Sequence, residues 1–140
     1  MPIEGVVADA NALLSAAVGK AALRVFTEFD VTVHVSEFNA AELLEYIPVL
    51  AAKYLLRVEL VELQWRLLPV KLHPFDDYSE LYDDALADLA KRDPEDAHPL
   101  ALARKLQLPI WSNDRDLANL GVECYSTAHL LALLEKQGNP

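Results

Sequence analysis

One cysteine, one methionine and four glycines among 140 residues remove several classes of protein before any motif is sought. Cys124 stands alone, so no internal disulfide forms and a stapled secreted scaffold is excluded. The four histidines, His34, His73, His98 and His129, do not have the spacing of a zinc site. Long apolar runs are also missing. The stretch Val49–Leu56 is broken by Lys53 and falls far short of the ~20 apolar residues that a membrane span requires. The opening Met-Pro-Ile-Glu-Gly lacks the basic head and cleavage site of a signal peptide. A cytoplasmic protein with no membrane partner is the resulting expectation.

Positive charge is scarce. Twelve Lys and Arg face 22 Asp and Glu, for a formal net charge of −10. Such a surface repels phosphate and offers no electrostatic footprint for nucleic acid. The alternative is that several acids gather around one cation, where a bound metal reverses the local field. Composition leaves both open.

What is present is enough material for a core. Hydrophobic residues make up 53% of the chain, and a globule of this length buries roughly 70% of its unfolded surface. The expected organisation is one domain over residues 1–140. An apolar run from Ile3 to Ala8 reads as a buried strand that stops at Asp9. Helices are expected over Ala10–Val18 and Lys20–Phe26, and a β-branched strand over Val31–Val35. Ser36 reads as the cap of a helix over Glu37–Tyr46, with Phe38, Ala41 and Ile47 near one face and Pro48 as its interruption. Val49–Leu56 and Val58–Leu67 are helical, Leu68–Leu72 is a weak strand, and Tyr78–Lys91 has the spacing of one amphipathic helix.

Asp93-Pro94 is a clear helix start, running to about Leu106. The strand Leu108–Ser112, the turn Asn113–Asp116, the strand Val122–Tyr125 and the helix Thr127–Lys136 complete the pattern. Strands alternating with helices predict an α/β fold, a three-layer α/β/α sandwich around a mostly parallel sheet.

Sites in such sheets form at the carboxyl ends of the strands. Asp9 closes the first strand, Asp114 follows the Ile110-Trp111 strand, Asp96 lies in the first turn of a helix, and Glu42 lies in the helix after the second strand. Each has an ordinary explanation: a cap, a dipole-favoured helix acid, an Asx turn or a solvated face. Asp9 is the least ordinary, because an acid after a buried strand is costly without a partner. Four acids converging on one edge make sense around a divalent ion, Mg²⁺ or Mn²⁺, which prefers oxygen ligands.

The stretches Val6-Val7-Ala8-Asp9-Ala10-Asn11, Ala41-Glu42-Leu43, Asp93-Pro94-Glu95-Asp96 and Ile110-Trp111-Ser112-Asn113-Asp114-Arg115-Asp116 resemble, in order and spacing, the successive motifs of PIN-domain ribonucleases. The resemblance covers essentially the whole chain. It implies a parallel sheet between helices and Mg²⁺- or Mn²⁺-dependent cleavage of RNA. It also implies kinship with the toxins of toxin–antitoxin pairs, with a homodimer and a protein antitoxin as partners. Carried over, Asp9, Glu42, Asp96 and Asp114 are the catalytic acids. Asp9, Asp96, Asp114 and Asp116 hold metal, with Asn11 and Ser112 in support. Asp93 is a cap first. Ala10 departs from the family's usual hydroxyl residue, and Asn113 from its usual glycine.

Two other readings stand beside this one. A haloacid-dehalogenase-like phosphohydrolase also begins with a strand ending in Asp, but it needs a second Asp where Asn11 stands and a hydroxyl such as Ser36. A PIN-fold module without catalysis, serving as an interaction scaffold, is the reading outside enzymes. Trp111 and Phe38 are expected in the core. The apolar excess at Tyr54, Leu55, Leu60, Leu63 and Trp65 is expected to cover a partner. Lys20, Arg24, Lys53, Arg57 and Arg66 read as solvated charges.

Overall fold

The strand that carries Val6, Val7 and Ala8 has no exposed face, and the rest of the fold is arranged around it. The computed structural model describes residues 2–90, 92–114 and 117–138. Five strands form one parallel sheet: β1 (Gly5–Ala8), β2 (Thr32–Ser36), β3 (Val70–His73), β4 (Ile110–Trp111) and β5 (Cys124–Tyr125). Their order is β3-β2-β1-β4-β5, so the direction of winding reverses between β1 and β4. The register pairs Val7 with His34 on one side and with Ile110 on the other.

Alternation along β1 sends successive side chains to opposite faces, and two cores result. Val6, Ala8, Val33, Val35 and Trp111 pack against α1 (Ala10–Val18), α2 (Lys20–Thr27), α3 (Glu37–Lys53), α4 (Val58–Leu67) and α7 (Thr127–Gly138). Val7 and Ile110 pack on the other face against α5 (Tyr82–Leu89) and α6 (Ala97–Leu106). This is the expected α/β/α sandwich. No helix among the described residues is long and apolar enough to cross a membrane.

Several local expectations change. Pro48 does not end its helix: α3 runs unbroken from Glu37 to Lys53 with Pro48 inside. Leu43, Ile47 and Ala51 are fully buried along the opposite side and hold the helix down. Pro48 itself is exposed, so the hydrogen bond it forfeits is lost at the solvent face. The buried stripe is therefore Ala40, Leu43 and Ile47; Ala41 is exposed and Phe38 is 38% exposed, not core.

The expected single helix over Tyr78–Lys91 is broken. Two 3₁₀ turns, Phe75–Asp77 and Ser79–Leu81, precede α5, and Lys91 lies outside the described residues. Tyr78, Ala85 and Leu89 are its buried contacts, while Leu86 stays exposed. Trp65, read from sequence as partner-facing, is 9% exposed and belongs to the core beneath α4. Trp111 is fully buried and donates from its indole N–H to the Thr127 hydroxyl at 2.9 Å. Gly19 joins α1 to α2 without a side chain because a Cβ there would fall 2.9 Å from the Ser15 carbonyl oxygen.

Candidate active site

The reversal of winding between β1 and β4 leaves a crevice at the carboxyl ends of those strands, the usual place for a site in an open parallel sheet. Asp9 follows β1 directly and is 5% exposed. It serves first as the N-cap of α1, one carboxylate oxygen accepting from the Ala12 N–H at 2.8 Å. Its other oxygen accepts from the hydroxyl of Ser112, which follows β4. The same Ser112 oxygen accepts from the Asp114 N–H at 3.0 Å. One buried hydroxyl thus ties two acids from the two strands flanking the crevice.

A cleft of about 330 Å³ opens beside them, lined by Asp9, Ala10, Asn11, Leu14, Asn39, Glu42, Tyr46, Asp93, Glu95, Asp96 and Asp114. Six of these residues are acids, and no Lys, Arg or His is among them. The cleft brings together Asp9, Asn11, Glu42, Asp96 and Asp114 from four separated stretches. Ser112 lies behind it, buried and bonded to Asp9. Asp116 lies outside the described residues.

Glu42 reaches the cleft along a ladder in the first turns of α3. Ser36 caps the helix, accepting from the Asn39 N–H at 3.0 Å and donating to the Asn39 amide oxygen at 2.8 Å. The Asn39 amide nitrogen then donates to Glu42 at 3.3 Å. Across the cleft, Asp93 caps a 3₁₀ turn over Pro94–Asp96, accepting from the Glu95 N–H at 3.0 Å. The α-helix proper begins only at Ala97, with Asp96 at its N-cap position. Asp93 is a cap, as the sequence indicates, and also lines the cleft.

Crowding of like charge shows in the titration of these groups. Burial, and then the charge of Asp114, push the Asp9 carboxyl above its ordinary value against the pull of its hydrogen bonds. Glu42 is pushed up to about 8, by burial first and then by a hydrogen bond to Glu95 and the charge beside it. Burial, with the charges of Asp9 and Asp114, also pushes the Cys124 thiol up to about 11, so this half-buried sulfur stays protonated and unreactive.

These are the donors a hard dication takes: carboxylate and amide oxygens, with no thiolate and no competing cation among the described residues of the lining. They do not form a closed cage. Among the described residues no three His, Cys, Asp or Glu side chains come close enough to be a preassembled ligand set. Mg²⁺ commonly binds through one or two carboxylates and keeps several waters, so an open spacing suits it.

Glu95, Asn39 and Tyr46 were missed in the sequence. Three acids within Asp93–Asp96 were a signal for Glu95, masked by the assumption of a regular helix. Asn39 was visible as the third residue after the Ser36 cap. Of the early-helix cations, Arg24 is bonded to Glu28 and Glu135, both at 2.6 Å, and Lys53 lies 5.5 Å from the Tyr54 ring centre.

Comparison with known proteins agrees with this architecture. A Pyrobaculum aerophilum protein, PAE2754, has a similar structure, with a TM-score of 0.67 and 17% identity over 98% of each chain. A toxin–antitoxin complex from Klebsiella pneumoniae contains a chain that matches with a TM-score of 0.63 and 20% identity, covering 87% of this chain and 97% of that one. At such identities the likeness is one of fold. No curated protein matches significantly. The PIN domain model, however, matches residues 7–135 and so spans every element from β1 into α7. The chain belongs to the PIN domain family.

Proposed function

We propose that residues 1–140 form one domain of a metal-dependent ribonuclease, cutting RNA phosphodiester bonds with a water activated by Mg²⁺ or Mn²⁺. The observation that carries this reading is a cleft whose described lining holds six acids and no Lys, Arg or His. Asp9, Asp96, Asp114 and Asp116 are assigned as the metal-holding acids, Glu42 as the acid that accepts a proton, and Asn11 and Ser112 as supports. When bound, the ion supplies charge neutralisation for phosphoryl transfer and a more acidic water.

The chain's own residues do the rest. Ser112 and the Ala12 N–H fix the Asp9 carboxylate, leaving it no freedom to swing away. Asn39 aims Glu42. With its carboxyl at about 8 in the metal-free protein, Glu42 is suited to hold and return a proton near neutrality. Burial of Ser36 and its use as the α3 cap remove the hydroxyl that a dehalogenase-like phosphohydrolase would need.

A toxin role with a protein antitoxin, or a homodimer, suits a second feature. Val49, Leu55, Leu60 and Leu67 are 66%, 93%, 58% and 69% exposed along the end of α3 and α4. Such a surface favours a protein cover. A cytoplasmic location goes with this role. The second reading is a PIN-fold module without catalysis, serving as an interaction scaffold. RNA cleavage in Mn²⁺ decides between them. The nuclease cuts, stops with chelator and is silenced in Asp96→Asn; the scaffold leaves RNA intact in all three.

A further inference from the structure

Phe38, Glu42 and Tyr46 stand four residues apart on α3 and therefore share one face of that helix. The two aromatic residues are 38% and 50% exposed, while Leu43 and Ile47 on the other side are fully buried. Glu42 and Tyr46 line the acidic cleft, and Phe38 lies one helical turn before Glu42 on the same helix, outside the lining itself. The axial distance from Phe38 to Tyr46 is about 12 Å.

Phe38 is held in place. Its ring stacks on His98 with centroids 3.8 Å apart and planes 9° from parallel. His98 is fixed in turn by a 2.6 Å hydrogen bond with the Tyr78 hydroxyl, by an edge contact with Phe75 and by the tilted ring of Tyr82. A ring clamped on one face presents its other face ready-made, with little entropy left to lose on contact. Exposed apolar residues need no explanation singly. Two aromatics bracketing the assigned acid at one helical turn each way are a pattern.

We infer that Phe38 and Tyr46 are base-stacking platforms, each taking one unpaired base of an RNA strand whose backbone crosses the cleft at Glu42. The inference rests on the ribonuclease reading and adds the two side chains of this protein that hold the bases. Charge supports it. The net charge is −10, and among the described residues that line the cleft there is no lysine or arginine to contact phosphate. Stacking on aromatic rings is the sequence-tolerant source of affinity that remains. It requires splayed single-stranded bases, because pairing hides their faces.

The test uses the full chain in Mn²⁺ and a single-stranded RNA carrying 2-aminopurine, whose fluorescence is quenched by stacking. Quenching is read on mixing, before the strand is cut. Phe38→Leu and Tyr46→Leu keep apolar bulk without a ring. Each is expected to weaken binding about fivefold or more, to lose part of the quench, and to raise KM rather than lower kcat. Tyr46→Phe is expected to retain quench and affinity. The platforms are refuted if both leucine variants bind and quench like the parent chain, if a duplex of the same sequence binds equally well, or if the leucine variants change only the oligomeric state. Cleavage with unaltered leucine variants would remove the platforms and leave the nuclease standing. Quenching without cleavage at any metal concentration would do the reverse.

Discussion

Asp9 at the end of β1 and Ser112 at the end of β4 are hydrogen-bonded across the point where the sheet reverses its winding. The bond joins residues 103 positions apart in sequence, and both partners are buried. It makes one unit of two strand ends that otherwise share only the short β1–β4 pairing.

Removing that hydroxyl therefore has two effects. Ser112→Ala leaves a buried carboxylate oxygen and the Asp114 N–H each short of a partner, which costs about 1–3 kcal/mol. It also drives the Asp9 carboxyl further up, since the Ser112 bond opposes the effect of burial. Urea unfolding at neutral pH should show the loss. An unchanged midpoint would mean that the two strand ends are held by packing alone.

The raised Glu42 carboxyl gives a pH dependence of definite sign. Its ordinary value of 4.5 rises to about 8 in the fold, so the metal-free folded protein holds a proton that the unfolded chain has released. Its contribution to stability is present in full below about pH 4.5 and is lost as the pH climbs to about 8. Asp9, also raised, acts in the same direction. Glu42→Gln should flatten the slope of Tm against pH between 5 and 8 by less than one proton, Glu42 being partly exposed, and should raise Tm at pH 8. A slope equal to that of the parent chain would contradict the pairing of Glu42 with Glu95.

Pro48 offers a test of the helix. Since α3 continues through it with Pro48 exposed, Pro48→Ala restores an N–H and a better helix former without touching the core. Stability should rise by about 1–3 kcal/mol. A fall would show that the ring, rather than the buried stripe, shapes this helix.

The amino-acid sequence made some of this legible and hid the rest for physical reasons. Helix α1 was read to the residue because Asp9 caps its start and Gly19 ends it. Strand β1 is legible because it is too apolar to face water, whereas β3, with Lys71 and Leu72 exposed, leaves only a weak signal. Proline misled at Pro48 because local propensity favours a break, whereas the decisive contacts of Ile47 and Ala51 are tertiary. The stretch around Tyr78 misled in the other direction: its leucine spacing suits a helix, yet the chain tightens into 3₁₀ turns before α5.

For the candidate site, Asp9 and Asp114 are legible as acids at strand ends and Asp96 as an acid opening a helix, whereas Glu42, inside α3, is named only through the resemblance to the PIN motifs. Glu95 goes unnamed in the sequence because it is the immediate neighbour of Asp96 and so stands about 100° or more from it on any regular helix; both line the cleft even so. Phe38 reads as core from its apolar neighbours, and only the packing of α3 against α6 shows it stacked on His98 at the surface.

The central claim is that the acids of the cleft share a hard dication. Calorimetric titration of the purified chain with Mn²⁺ tests it most directly. The account predicts saturable binding that strengthens as the pH rises towards 8 and that is lost in Asp9→Asn, with the variant still folded. Absence of binding to the parent chain, or equal binding to Asp9→Asn, would contradict it.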